Sequence, residues 1–192
     1  MNIRKLIKET VAQVINEAPK DFIDLGPNVG LVIQYPSSEQ VWLNFFDFKD
    51  KKCIGVITLR KLTTGIWHIN TVAGEQGLGP LLYKTGMMAV YPDGVCADRI
   101  HNSKAAVNVW HKFYLSPGEL KKIPITKDNE AYKDYGNEDL NIILNFLYYR
   151  PESTWFKKMV DKGVQLMSSS ESDSNAIRGI CSDYFKSRYQ EK

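Results

Sequence analysis

The chain has 192 residues, 43% of them hydrophobic, which suits one domain able to bury a core without staples. Its formal charge of +3 comes from 25 basic and 22 acidic residues interspersed along the sequence, so no basic block argues for nucleic acid. No apolar run reaches the roughly 20 residues that span a bilayer, the first residues lack the apolar core of a secretory signal, and the three distant cysteines, Cys53, Cys96 and Cys181, have no metal spacing and predict no disulfide framework, with a reducing compartment as the default.

Ile3, Leu6, Ile7, Val11, Val14 and Ile15 recur at helical spacing, with Arg4, Lys5 and Lys8 off that stripe, and Pro19 should end the helix. Four β-branched and aromatic runs follow: Val29–Tyr35, Val41–Phe48, Cys53–Leu62 and Gly65–Ala73. Turn residues separate them, which predicts an antiparallel meander. Within the runs, the aromatic cluster Trp42, Phe45, Phe46, Phe48 and Trp67 is better suited to a core than to stacking nucleobases. A helix should run from Gly79 to Val90, stopped by Tyr91-Pro92-Asp93-Gly94, with "VCAD" as one more strand. Asn102–Tyr114 reads as a helix with Ala106, Val109, Trp110 and Phe113 on one side.

The later sequence changes character. Ser116–Gly136 is polar and rich in turn residues; Asn137–Tyr149 reads as an amphipathic helix ended by Pro151. Glu152–Gly163 suits a short helix capped by Gly163, Ser168–Ser174 a low-complexity loop, and Asn175–Gln190 a last helix. No nucleophile sits in a recognisable elbow, and no set of carboxylates or metal ligands shares an obvious face.

The stretch "TVAGEQGLGPLLYKTGMMAV" (Thr71–Val90) carries the most chemistry. The first amides of a helix lack intrahelical partners, and the helix dipole adds partial positive charge there. A phosphate can satisfy both, and glycine lets the backbone approach it. A tight strand-to-helix turn would use the same glycines. Four antiparallel strands, a glycine-turn helix, a fifth strand and a further helix resemble the core of the GNAT-type N-acetyltransferases over roughly Val29–Tyr114. That family joins its fourth strand to the next helix through Gln/Arg-x-x-Gly-x-Gly/Ala. Gln76 and Gly79 match it, while Leu81 stands where Gly or Ala is usual. The resemblance implies an acyl-coenzyme A ligand, acetyl-CoA or another acyl-CoA. Its pyrophosphate would lie on the amides of Gln76, Gly77, Leu78, Gly79, Leu81 and Leu82, and its pantetheine arm along Asn70, Thr71 and Val72. The next helix would add Asn102, Ser103 and Trp110.

The same resemblance implies acyl transfer to an amine whose acceptor, protein or small molecule, the sequence does not name. His68 shares a strand face with Asn70 and is the first candidate for relaying the amine proton; Glu75 lies just beyond. An ordinary half-buried strand histidine would look the same as His68, and His101 and His111 read as surface residues. Counted from Ser103, Ala106 and Trp110 fall at the family's spacing, and counted from Asn102, Ala105 and Val109; neither register puts a tyrosine at the place of the family's general acid, so His111 or Tyr114 would serve only from a rotated helix. The alternative is a catalytically silent GNAT-like protein.

Ile15-Asn16-Glu17-Ala18 resembles the cut site of the prohead proteases of large tailed phages. That likeness implies a removable head-targeting peptide, a mature chain starting at Ala18, phage head proteins as partners, and a place in the host cytoplasm and virion; it makes the silent alternative a phage structural or internal head protein or an inhibitor of a host factor. A plain N-terminal helix packing on the domain would have the same stripe. The expected architecture is α/β (α+β): a mixed, mostly antiparallel sheet flanked by helices. It divides into an N-terminal helix (1–18), a GNAT-like core (19–118) and a mostly helical C-terminal extension (119–192).

Overall fold

The computed structural model describes residues 25–170 and 173–190. The expected leading helix, with Glu17 and Ala18, lies outside the described residues. The fold is α+β: a seven-stranded, mostly antiparallel sheet with five helices among the described residues.

Four strands form the expected meander: β1 (Val29–Ser37), β2 (Gln40–Asp47), β3 (Lys52–Lys61) and β4 (Trp67–Gly74). Helix α1 (Gly79–Ala89) crosses over to the short β5 (Val95–Cys96), which pairs parallel to β4. Helix α2 (Lys104–Leu115) follows, then β6 (Lys121–Pro124), α3 (Glu138–Leu144), β7 (Phe146–Tyr149), α4 (Thr154–Ser169) and α5 (Ser174–Gln190). The sheet order is β1-β2-β3-β4-β5-β7-β6.

Side-chain alternation divides the core between the two faces of the sheet. Leu31, Leu43, Phe45, Ile57, Leu59, Trp67, Ile69 and Val95 share one cluster with Leu82, Tyr83 and Met87 of α1, Trp110 and Phe113 of α2, and Phe156 and Met159 of α4. Val32, Phe46, Phe48, Cys53 and Val56 form another with Ile177 and Cys181 of α5.

Four sequence expectations are corrected. Asn137–Tyr149 is not one helix: α3 stops at Leu144, and Phe-Leu-Tyr-Tyr becomes β7, paired with both β5 and β6. A short apolar run fits a buried helix or a buried strand equally well by periodicity. Tertiary packing chose the strand, because Tyr148, 1% exposed, stacks on Trp110 at 5.2 Å between ring centroids. The polar segment before it supplies β6, so the chain beyond residue 118 contributes two strands as well as three helices. Gly163 does not cap α4, which runs on to Ser169. It is instead the point where α4 meets β1: a Cβ there would stand inside the Leu31 carbonyl group. Cys53 and Cys181 form a disulfide with Cα atoms 5.1 Å apart, although 128 residues separate them; only buried Cys96 is a free thiol. Sequence distance hides the pair because only the packing of α5 on the sheet brings Cys181 to β3.

Gly163→Ala should therefore cost at least about 1–3 kcal/mol in urea unfolding, since backbone must shift to admit the methyl group. Gly179→Ala, at an α5 position with nothing near the added carbon, should instead stabilise by about 0.5–1 kcal/mol. Equal effects of the two changes would contradict the close approach of α4 to β1.

Candidate functional site

The site begins with a short seam. β4 and β5 pair only at Trp67–Val95 and His68–Cys96. β4 continues to Gly74, whereas the chain after Cys96 turns away. The turn is locally encoded. Asp98 Oδ1 accepts hydrogen bonds from the amides of Ile100 (2.7 Å) and His101 (3.4 Å), the self-capping habit of Asp in turns. Asn102 Nδ2 and the Tyr135 hydroxyl both donate to the Asp98 carbonyl, at 2.8 and 2.9 Å. Ser103 then caps α2 by accepting from the Ala106 amide. On the other side, a bulge in the β3–β4 ladder leaves Asn70 as the extra residue between the pairs Thr58–Thr71 and Leu59–Ile69.

Between the separated strands lies a cleft of about 570 Å³. Asn70–Gly74 form one side, and no described strand pairs with the far edge of that stretch. Gly79, Leu82 and Tyr83 of α1 line another side; Ser103, Ala106 and Val109 line the α2 side. Asp98, His101, Asn102 and Arg188 complete the lining. Helix α1 enters after Leu78 without any side-chain cap and without an acid in its first turn, so its amides and dipole are not neutralised locally. Gly77 just before it has φ +89°, a left-handed conformation that glycine adopts without strain. Pro80 removes one donor from the turn.

Of the residues singled out by sequence, Asn70, Thr71, Val72, Gly79, Leu82, Asn102 and Ser103 line this cleft. The others stand elsewhere. Gln76 and Gly77 are exposed in the approach to α1, and Leu78 and Leu81 are buried in the core. Trp110 is 1% exposed, edge-on to Tyr83 at 5.0 Å, and belongs to the core. Glu75 is exposed, 3.9 Å from Lys52. Tyr114 lies near the far end of α2, against Phe146 and under the Lys122 ammonium.

His68 is 4% exposed and does not line the cleft. Its register partners are Arg60 and Cys96. Burial pushes its pKa below the ordinary 6.5, and the nearby Asp98 carboxylate offsets only part of that. Its Nδ1 is buried without a partner. Burial likewise raises the Cys96 thiol, so this cysteine is a core thiol. Arg99 completes the neighbourhood: Nη1 donates to Tyr135 Oη at 3.0 Å, Asn145 Oδ1 at 3.1 Å and the Leu144 carbonyl at 3.3 Å. These bonds tie the turn after β5 to α3.

Sequence reasoning did not single out Asp98, His101, Tyr83 and Arg188 as lining residues. Asp98 carried a readable signal, an Asp two residues before a turn. Arg188 carried none, because it is more than a hundred residues from β4 in sequence. Among the described residues, no cluster of His, Cys, Asp or Glu is arranged to hold a metal ion, and no helix is long and apolar enough to cross a membrane.

The chain matches no protein-family model, no curated protein and no solved structure.

The buried His68 has a consequence for stability. Its folded pKa lies below the unfolded 6.5, so below 6.5 the unfolded chain binds more protons. Stability contributed by neutral His68 is complete above that value and is lost as pH falls toward the folded pKa. His68→Asn should flatten the stability profile across that window in urea unfolding at successive pH values. An unchanged slope would show that His68 titrates freely in the native state.

Proposed function

We propose that the cleft binds an acyl-coenzyme A and that the protein transfers the acyl group to an amine, on a GNAT-like scaffold. The observation that carries this reading is the two-residue parallel seam, beyond which the edge of β4 faces an open cleft beside an uncapped helix start. The residues present suit such a ligand. An unpaired strand edge can bond the amides of a pantetheine arm as an added strand would. The first turn of α1, with Gly79, can take pyrophosphate oxygens. When bound, the coenzyme would supply the acyl group as a thioester. Asp98, on the cleft wall, would accept the proton that the incoming ammonium must lose, with His68 held neutral in the core close enough to feel its charge. His101 and Tyr83 also line the cleft and could pass a proton.

One observation favours a second reading, a silent GNAT-like protein that binds a ligand or a partner without turnover. None of His68, Glu75 and Tyr114 lines the cleft, and Trp110 fills the core. On that reading the Ile15-Asn16-Glu17-Ala18 sequence marks removal of a phage head-targeting peptide, and virion-derived protein should begin at Ala18.

Acetyl-CoA at a hundred times its Kd should add about 2.7 kcal/mol of stability, and each kcal/mol should raise Tm by roughly 2–4 °C for a chain of this size. Gly79→Asp should abolish the shift. A Cβ there meets only Val109 Cγ2 at 3.7 Å, so the aspartate fits, and its charge opposes the phosphates. Absence of any shift at millimolar acetyl-CoA would remove the coenzyme reading.

Asp98→Asn should keep the thermal shift but lower transfer to an amine by ~10²–10⁴-fold. Coenzyme binding with no transfer in the wild-type protein would select the silent reading.

A further inference from the structure

We infer that Arg188 of the C-terminal helix is the phosphate-binding cation of the cleft, and that the Cys53–Cys181 disulfide positions it. The inference rests on the reading of the cleft as a coenzyme A site and adds its ligand-binding charge and its redox dependence.

Among the described residues, Arg188 is the only Lys or Arg that lines the cleft. It is exposed, and no described carboxylate forms an ion pair with it. Its guanidinium stands 5.3 Å from the centroid of the Tyr184 ring, one helical turn earlier. Stacking of this kind limits the rotamers of the side chain while leaving its N–H groups free for an anion. The arrangement suits a phosphate better than a carboxylic acceptor, because the uncapped start of α1 lines the same cleft and favours negative charge too.

Helix α5 is also tied to the sheet at its start, where Gln34 Nε2 donates to the Ser174 carbonyl at 2.6 Å, and by Arg178 over the Trp42 ring. Ile177 and Cys181 are its buried residues in the second cluster, with Tyr184 and Phe185 half-buried against that cluster. Cys181 and Arg188 are seven residues apart and so share a helix face, about two turns from one another. The other end of the bridge, Cys53, lies two residues from Gly55, the β3 partner of Gly74 at the cleft. The disulfide thus fastens α5 to the strand next to the cleft, on the face from which Arg188 reaches it. Opening the bridge gives two thiols, which takes two electrons and two protons from a reductant. A dithiol such as dithiothreitol supplies both and leaves as its cyclic disulfide. The helix then keeps its apolar contacts and, before Cys181, the Gln34–Ser174 hydrogen bond and Arg178 over Trp42, but no covalent tie near its Arg188 end, and Arg188 is held less closely over the site.

The test is calorimetric titration of the full chain with acetyl-CoA and with acetyl-pantetheine, which has the thioester arm but no nucleotide phosphates. Arg188→Gln should weaken acetyl-CoA binding by about 10-fold or more, the effect of one hydrogen bond to a charged group, and leave acetyl-pantetheine unchanged. Arg188→Lys should restore part of the loss. Reduction of the wild-type protein by dithiothreitol should weaken acetyl-CoA binding in the same sense, and should add nothing in Arg188→Gln, because both act through one contact. Circular dichroism of the reduced protein separates this from unfolding; if it unfolds, the two arginine variants decide the inference in the oxidised state. Arg188→Gln binding acetyl-CoA as tightly as wild type would overturn the inference and leave the coenzyme reading standing. Wild-type protein that binds no acetyl-CoA would overturn that reading, and this inference with it.

Discussion

The parallel contact between β4 and β5 is two residue pairs long, and the rest of the site depends on that brevity. A longer ladder would close the cleft and satisfy the edge of β4 with β5. A shorter one would detach β5, and with it β7 and β6, from the meander. The seam is ended from both sides. The Asn70 bulge raises the local twist of β4, and the Asp98 turn takes the other chain away into α2. Because the turn is held by Asp98 itself, by Asn102 and by Tyr135, its geometry is fixed by hydrogen bonds.

The second half of the chain is built into the first. β7 continues the sheet beyond β5, and Tyr148 packs into the aromatic group of Tyr83, Trp110 and Phe113 that joins α1 to α2. Arg99 reaches from the turn after β5 to the end of α3, where Asn145 also takes the Lys133 amide and donates to the Lys133 and Asn141 carbonyls. α4 lies so close to β1 that only glycine fits at position 163, and α5 is bridged to β3. The cleft therefore has walls drawn from β4, the two central helices and the last helix, elements that are far apart in sequence.

Local patterns carried much of the architecture. Five of the seven strands and both central helices could be read from alternation, turn residues and the Ser103 cap, since neighbours in sequence decide these features. The same holds for part of the site: Asn70–Val72, Gly79, Asn102 and Ser103 reach the cleft because strand-to-helix junctions lie at one end of the sheet. The reading failed where a residue's role depends on what comes to lie against it. His68 was expected at the cleft from strand alternation, yet its face is covered and it is buried without a partner for Nδ1. Trp110 fits the spacing of a ligand-facing position, but its size fills the gap between α1, α2 and β7.

By itself the sequence determined the meander, the glycine turn into α1 and the polar turn that ends β5, because each is set by backbone preferences and hydrogen bonds within a few residues. Only the tertiary structure decided that Phe146–Tyr149 is a strand, that Gly163 is a contact point, that Cys53 meets Cys181 and that Arg188 stands beside β4. Each of these is a contact between segments far apart in the chain. Its energy comes from burial and close approach that no local window of sequence contains.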